Sequence, residues 1–477
     1  MNATEPRAAA VEGMGGFRRE FAAMHAATRR NPVVDRVRRH ARLDALFALV
    51  HDNAERFVEA IAADFGHRSA HETRLLELFP SLEAIRHTRS HFAGWMKPQR
   101  KSPSLWFRPG RARIVSQPLG VVGIIVPWNY PLFLAISPMA AALAAGNRVM
   151  VKMSEFTPRT GELLAGLVTR YFPPEEVAVV LGDATVGADF ARLPFDHLLF
   201  TGSTRVGHDI MRIAAENLTP VTLELGGKSP AIIGAGYPLH KAAERIVVGK
   251  LLNAGQTCIA PDYVLLPAGR EQAFLDAARA VVARCWPEIA TTPDYTAIVN
   301  ERHYRRLQGY VDDARTRGAR IEPLSNTGPD AAHRRLPPLA LLDVNDDMRV
   351  MQDEIFGPLL PVLPYRDIDA AIAHVNAHPR PLALYYFGND AGELDRVLEE
   401  TVAGGVTVND TILHIAQEEL PFGGVGPSGM GQYHGIEGFR TFSKQKAVFY
   451  QSALNAMSLF NPPYGGLFER LTKFLIR

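Results

Sequence analysis

Two short stretches carry the residue types that a covalent mechanism needs. Glu224-Leu225-Gly226-Gly227-Lys228-Ser229-Pro230 ends an apolar run on a carboxylate and follows it with paired glycines. Gly255-Gln256-Thr257-Cys258 presents one of only two cysteines in the chain on a second glycine turn. A thiol can attack a carbonyl carbon, and a carboxylate can activate the water that later releases the product. If the two share a pocket, they divide those steps between them. Glu224 at a strand end also reads as a helix cap or a salt-bridge partner, but the glycines after it point to a group that approaches the backbone closely. Cys285, in Ala283-Arg284-Cys285-Trp286, reads as an inert buried thiol. The turn before Cys258 leaves its backbone N–H free to donate to an oxyanion. Asn129, in Pro127-Trp128-Asn129-Tyr130-Pro131, offers a side-chain amide as a second donor.

A second set of residues has the pattern of a nucleotide site. Phe200-Thr201-Gly202-Ser203-Thr204-Arg205-Val206-Gly207 follows a predicted strand and opens a helix, where glycines let backbone amides approach a pyrophosphate. It is neither G-x-G-x-x-G nor a Walker loop, so an ordinary tight turn is an equal reading. Lys152 and Glu155 stand just past the predicted strand Arg148–Lys152, at the end of a sheet where ligands bind. They read as holders of ribose hydroxyls or as a surface ion pair. A carboxylate there repels a 2′-phosphate, which leans toward NAD over NADP.

The rest of the chain must position these groups. At 477 residues two or three domains are expected. A hydrophobic fraction of 47% with 21% charged residues is that of a soluble globular protein, and a net charge of +2 offers no field for nucleic acid. Arg29-Arg30, Arg36 and Arg38-Arg39 read as a solvated helix face. Two cysteines make no disulfide framework, so a reducing compartment, the cytoplasm, is expected. Met1-Asn2-Ala3-Thr4-Glu5 does not open a secretory signal. The apolar run Pro131–Ala145 is too short to span a bilayer and reads as a buried helix. The pairs His67/His71 and His87/His91 have ligand spacing but no nearby carboxylate, so no metal is expected.

Residues 1–100 are helical by period, Pro98–Pro109 is a connector, and Arg111–Ser116 alternates like a two-sided strand. Apolar strands then alternate with helices: Val121–Val126, Arg148–Lys152, Val177–Leu181, His197–Phe200 and Val221–Leu225, with Ala231–Ile233 closing the series. That alternation predicts an α/β fold with a Rossmann-like sheet. A second α/β pattern follows to about residue 400, then a glycine-rich loop, Pro421–Gly431. The tail, 451–477, reads as a helix docked on the body, with contact to a membrane surface as the other reading.

Taken together, the motifs resemble the NAD(P)-dependent aldehyde dehydrogenase superfamily over about residues 30–450. The resemblance is carried by Pro127–Pro131, Phe200–Ser203, Leu223–Pro230, Gly255–Cys258, Glu354-Ile355-Phe356-Gly357-Pro358 and Pro421-Phe422-Gly423-Gly424 in that order. Ile259–Tyr263 and Gly426–Gly435 are similar to the class 3 branch, which takes in fatty, aromatic and bacterial coniferyl aldehyde dehydrogenases; the resemblance is nearest to the last group.

The resemblance implies oxidation of an aldehyde, aromatic such as coniferyl aldehyde or medium-chain aliphatic, to its acid. It implies Cys258 as nucleophile, Glu224 as base for the hydrolytic water, and Asn129 as oxyanion donor. Lys152 and Glu155 would hold the adenosine ribose, Gly202, Ser203, Val206 and Gly207 would border the pyrophosphate and adenine, and Glu354 with Phe356 would hold the nicotinamide end. NAD is the implied cofactor, with NADP open, and a homodimer is the implied assembly. The implied division is a cofactor domain at 1–107 and 127–225, a catalytic domain at 226–406, and a small β bridging unit at 108–126 and 407–450. Relatives that pass the acyl group to CoA or phosphate need no water-activating base, so Glu224 argues for hydrolysis. A non-catalytic protein on this scaffold would need neither the thiol nor Asn129.

Overall fold

The computed structural model describes residues 16–476; Met1–Gly15, with the stretch read above for a secretory signal, and Arg477 lie outside it. The chain is an α/β protein with three sheets. The smallest joins β1 (Gln99–Lys101), inside the expected connector, to β2 (Arg111–Pro118), and the last strand, β16 (Ser443–Tyr450), returns to pair antiparallel with β2 along its whole length.

The six-stranded sheet is built from the continuous apolar runs. Its parallel strands are β3 (Val121–Ile125), β4 (Arg148–Lys152), β5 (Val177–Val180), β6 (His197–Thr201) and β7 (Val221–Glu224), with the short β15 (Gly429–Met430) antiparallel on β7. The order is β15-β7-β6-β3-β4-β5. β4 and β6 are buried throughout, as strands covered on both faces must be. Chain order runs outward from β3 in both directions, so the carboxyl ends of β3 and β6 border the crevice where doubly wound sheets take ligands. The crossover from β3 to β4 is the helix Phe133–Ala145, in which every residue is buried, as its unbroken apolar composition predicts.

The seven-stranded sheet comprises β8 (Pro230–Ile233), β9 (Tyr263–Pro267), β10 (Arg320–Pro323), β11 (Leu339–Leu342), β12 (Leu359–Tyr365), β13 (Ala383–Phe387) and β14 (Gly405–Val408) in the order β10-β11-β12-β9-β8-β13-β14. This corrects the placing of Ala231–Ile233 at the end of the first series. Gly226 and Gly227 break the chain after β7, Gly227 takes φ +155°, and β8 leaves to pair with β9 and β13. β3 leads from the small sheet into the six-stranded one, and β14 spans residues 405–408.

Two further expectations are corrected. The basic cluster near the N-terminus is not wholly a solvated face. Arg39 is buried, its Nε donating to Val34 O at 2.8 Å and its Nη1 to Ala144 O at 2.9 Å, where the last carbonyls of the buried helix need donors. Arg38 Nε donates to Glu176 at 2.8 Å. The tail helix Gly466–Leu475 buries none of its residues; Phe474 meets Trp106 edge to face at 6.2 Å, on a turn that is itself exposed. Among the described residues no helix is long and apolar enough to cross a membrane.

The other end of the buried helix is held by an ion pair. Arg68 and Glu77 have fully buried side chains, with Arg68 Nη1 2.8 Å from Glu77 Oε1. Glu77 Oε2 accepts from Leu132 N at 2.8 Å and Phe133 N at 3.0 Å, which places a carboxylate on the positive end of Phe133–Ala145. Arg68 Nη1 also donates to Asn129 O at 2.9 Å, and its guanidinium lies about 5 Å from the ring centres of Phe65 and Tyr130. Removing one member leaves a buried charge unpaired. Arg68→Met is expected to cost about 3–5 kcal/mol of stability, read as a lowered urea midpoint; a loss below about 1 kcal/mol would show that the pair is not structural.

Candidate active site

The turn before Cys258 is strained and heavily pinned. Asn253, Ala254 and Gly255 have φ of 53°, 52° and 77°, a left-handed run that only the last adopts freely. A Cβ on Gly255 would sit 2.3 Å from Gly357 O. Asn253 N donates to Glu72 Oε2 at 3.0 Å, and Asn253 Nδ2 donates to Asn129 O and Gln256 O, both at 3.1 Å. Gln256 works from inside the turn: Nε2 donates to Asn253 O and Ala297 O at 3.0 Å, and Oε1 accepts from Val299 N at 2.9 Å. Tyr130 OH and Thr257 Oγ1 are 2.6 Å apart, and Tyr385 OH donates to Ile259 O. The turn therefore delivers Cys258, partly exposed, to a fixed place.

That place is beside two carboxyl groups. The Cys258 thiol is pushed well above the usual thiol range, by burial first and then by Glu354 and Glu224, while its own N–H and that of Ile259 pull the other way. Both acids therefore act on the thiol, and burial favours its protonated form. Those two backbone N–H groups already face the sulfur, where an oxyanion on an attached carbon needs donors. The Asn129 amide nitrogen donates to Gln256 O at 3.2 Å, which ties it to the same turn.

Glu224 ends β7 and is 3% exposed. Its carbonyl accepts from Gly202 N at 3.0 Å, so the Gly202 turn and the carboxylate are braced together. Neither carboxyl oxygen has a hydrogen-bond partner among the described residues, and burial raises its pKa well above the usual carboxylate range. Glu354 is what the paired glycines accommodate: a Cβ on Gly226 would meet Glu354 Oε2 at 2.1 Å. Burial first, then Asp262, pushes Glu354 up to about 8, and the Gly227 N–H opposes that shift. Its Oε1 is buried without a partner among the described residues. Arg306 holds the segment, donating from Nη1 to Ile355 O at 2.8 Å and from Nη2 to Phe356 O at 3.3 Å. Phe356, at φ 49°, stands edge-on to Trp128 at 5.3 Å.

The remaining expected residues lie apart from the thiol, along the carboxyl edge of the six-stranded sheet. Lys152 is 3% exposed, donates to Met153 O at 2.7 Å and reaches Glu155 only at 3.9 Å. Burial lowers its pKa, against the pull of Glu155 and Asp183. Ser203 caps the helix Thr204–Ala215, accepting from Val206 N at 3.5 Å. Val206 packs into the core under the sheet, and Gly207 lies so near Leu225 that a Cβ would be 2.7 Å from Leu225 Cδ2. Thr204 Oγ1 donates to Pro427 O at 3.0 Å, which brings the glycine-rich loop over this edge. A buried lysine, a capped helix N-terminus and an unpartnered Glu354 oxygen are the groups that a dinucleotide's hydroxyl and phosphate oxygens satisfy.

Sequence reasoning missed Arg68 and Glu77, which pair with each other and reach Asn129, Leu132 and Phe133, and Glu72, whose partners Asn253 and Thr296 are far away in the chain; it also missed the bracing role of Gln256. It also missed a role for Tyr433, buried at 1% exposure near Glu224 and Cys258; the sequence named it only within the stretch Gly426–Gly435.

The aldehyde dehydrogenase family model matches residues 17–448. The probable coniferyl aldehyde dehydrogenase of Pseudomonas aeruginosa is 56% identical over 96% of this chain and 96% of its own length. The substrate-bound state of AldH from Staphylococcus aureus superposes with a TM-score of 0.91 at 35% identity, covering 96% of this chain and 99% of that one. Indole-3-acetaldehyde dehydrogenase of P. syringae, in complex with NAD+ and IAA, gives 0.85 at 25% identity, covering 92% and 89%. With a family match across nearly the whole chain and a relative this similar, the chain belongs to the aldehyde dehydrogenase family.

Proposed function

We propose that this aldehyde dehydrogenase oxidises an aromatic aldehyde of the coniferyl type to its acid through a thioester on Cys258. The observation that carries this reading is the shared space of Cys258 and Glu224, a thiol on a braced turn and a buried carboxylate with neither oxygen engaged. The likeness to a probable coniferyl aldehyde dehydrogenase supports the substrate class. Cys258 loses its proton to solvent as its sulfur bonds to the aldehyde carbon. The oxyanion is met by the Cys258 N–H and the Asn129 amide, each such donor being worth about 3 kcal/mol. Bound NAD supplies the hydride acceptor. Glu224 then takes a proton from water as that water attacks the thioester, and as the acid leaves Glu224 passes that proton to the Cys258 sulfur.

For the cofactor, Lys152 and Glu155 hold the adenosine ribose, Gly202, Ser203, Val206 and Gly207 border the pyrophosphate and adenine, Glu354 takes the nicotinamide ribose, and Phe356 packs beside it. Glu155 favours NAD, with NADP open. The separate sheets support a division into cofactor, catalytic and bridging parts, with β3 counted in the first and β14 in the second. Two free cysteines support a cytoplasmic enzyme, and the class 3 resemblance supports a homodimer.

With coniferyl aldehyde and NAD, the wild type is expected to generate the absorbance of reduced cofactor, and Cys258→Ala to fall by about 10³-fold or more. Equal rates would remove Cys258 as nucleophile. Glu224→Gln is expected to give one rapid turnover of reduced cofactor per subunit and then a steady rate lower by about 10²–10⁴-fold. Because the base must be ionised and its pKa is raised, the wild-type rate of acid release should climb with pH through a window above the usual carboxylate range. Persistence of that climb in Glu224→Gln would assign it to another group.

A further inference from the structure

The helix Ile368–Ala377 and its capping residue place His374 and His378 one turn apart, with ring centres separated by 4.4 Å. A third group, Asp346, comes from the turn after β11 that leads into Glu354. One ligand atom from each of the three lies within 4.8 Å of the others. Local geometry settles the tautomer of one ring. His378 Nδ1 is 2.7 Å from His374 O, and a carbonyl only accepts, so Nδ1 carries the hydrogen. In the neutral ring Nε2 is then a lone pair, and it faces Asp346 Oδ1 at 3.0 Å. His374 Nε2 is buried and has no hydrogen-bond partner among the described residues.

Three atoms that can each offer a lone pair therefore converge, and one of them, His374 Nε2, is buried with no partner among the described residues. A doubly protonated His378 would satisfy Asp346 and still leave His374 Nε2 with nothing. A cation satisfies all three. Two ligands of a tetrahedral zinc with ~2.0–2.1 Å bonds stand about 3.3 Å apart; His378 Nε2 and Asp346 Oδ1 are 3.0 Å apart, and the third ligand atom lies within 4.8 Å of both. The carbonyl that holds His378 Nδ1–H is the outer contact that orients metal-binding imidazoles. We propose that His374, His378 and Asp346 form a binding site for a divalent transition ion of the zinc class, with water completing the coordination. Two imidazoles and one carboxylate suit zinc, cobalt, nickel or copper; magnesium and calcium take oxygen ligands.

The site lies at the rim of a cleft of about 560 Å³ that His378 lines together with Arg380, Glu400 and Pro427. Tyr263 meets the His374 ring edge-on at 5.5 Å. The cation facing His374 is Lys228, whose ammonium is already engaged by Asp262 and Val350 O. Gln352 Nε2 donates to Asp346 O at 2.9 Å, so an ion here joins the turn that ends on Glu354 to the segment whose Pro381 rests against Gly227. Such an ion would tie these two segments together beside the cleft.

A second cluster of this composition, His87, His91 and Glu419, is held by contacts within the protein, with His87 Nδ1 buried and without a partner among the described residues. His87 Nε2 donates to Glu419 at 2.6 Å, and His91 Nδ1 donates to His87 O at 2.8 Å. The sequence showed no carboxylate beside these histidines because Glu419 stands 332 positions away.

The test is titration of the metal-stripped full-length protein with Co²⁺ alone, followed by visible absorption. One equivalent should bind with the strong ligand-field bands of four-coordinate cobalt. His374→Ala and His378→Ala should each weaken that equivalent by at least about 100-fold, and Asp346→Asn, on an exposed turn, by about 10-fold, with circular dichroism unchanged. Cys258→Ala and His87→Ala/His91→Ala should bind the first equivalent as the wild type does. The site is overturned if no cobalt binds at millimolar concentration, if Asp346→Asn and the His374 and His378 variants bind as tightly as wild type, or if the first equivalent is lost in Cys258→Ala or in His87→Ala/His91→Ala.

Discussion

The buried Arg68 guanidinium is the tie on which the rest of the site depends. One of its nitrogens, Nη1, meets Glu77, which caps the buried helix Phe133–Ala145, and the Asn129 carbonyl. Asn129 in turn accepts from Asn253 and donates to Gln256, so a single cation links the helical N-terminal region, the crossover of the six-stranded sheet and the turn that carries Cys258. An ion pair with fully buried side chains is a poor source of net stability, because desolvating both ions consumes most of their attraction. Its worth here is positional. Breaking it leaves a charge uncovered, so the three segments hold one arrangement or lose it together.

Around that frame the electrostatics are arranged against charge. Glu224, Glu354 and Cys258 each have burial as the largest influence on their protonation, and each is pushed toward its neutral form. Burial thus favours the neutral forms of the thiol and of both carboxyl groups. The same low dielectric strengthens any donor aimed at an oxyanion once one forms. The raised pKa of Glu224 makes it a stronger base when ionised, and that is the property the second half of the mechanism requires. Cys258 and Glu224 need not bond to one another; each must reach the same carbon or the water beside it.

How much of this was legible in the sequence depended on whether the cause was local. The runs Val121–Ile125 and Arg148–Lys152 announced buried strands because both faces of each are covered, and Pro131–Ala145 announced a buried helix because it has no polar face. Gly226 and Gly227 correctly signalled a close approach, but the visitor, Glu354, could only be found in space. Non-local pairing was invisible. Nothing near Arg68 names Glu77 and Asn129 together, nothing near His87 names Glu419, and the move of Pro230–Ile233 into the second sheet depends on partners more than thirty residues away. Arg39 looked like a surface charge because its work, closing the end of the helix at Ala144, belongs to a segment a hundred residues later.

The central claim is that Cys258 carries the acyl group before Glu224 releases it. Mass spectrometry of enzyme acid-quenched during turnover of coniferyl aldehyde with NAD tests this most directly. The account predicts an acyl adduct on the peptide containing Cys258 and on no other, present at low level in the wild type and near one per subunit in Glu224→Gln. Formation of the acid at full rate with no adduct on that peptide, in either protein, would contradict it.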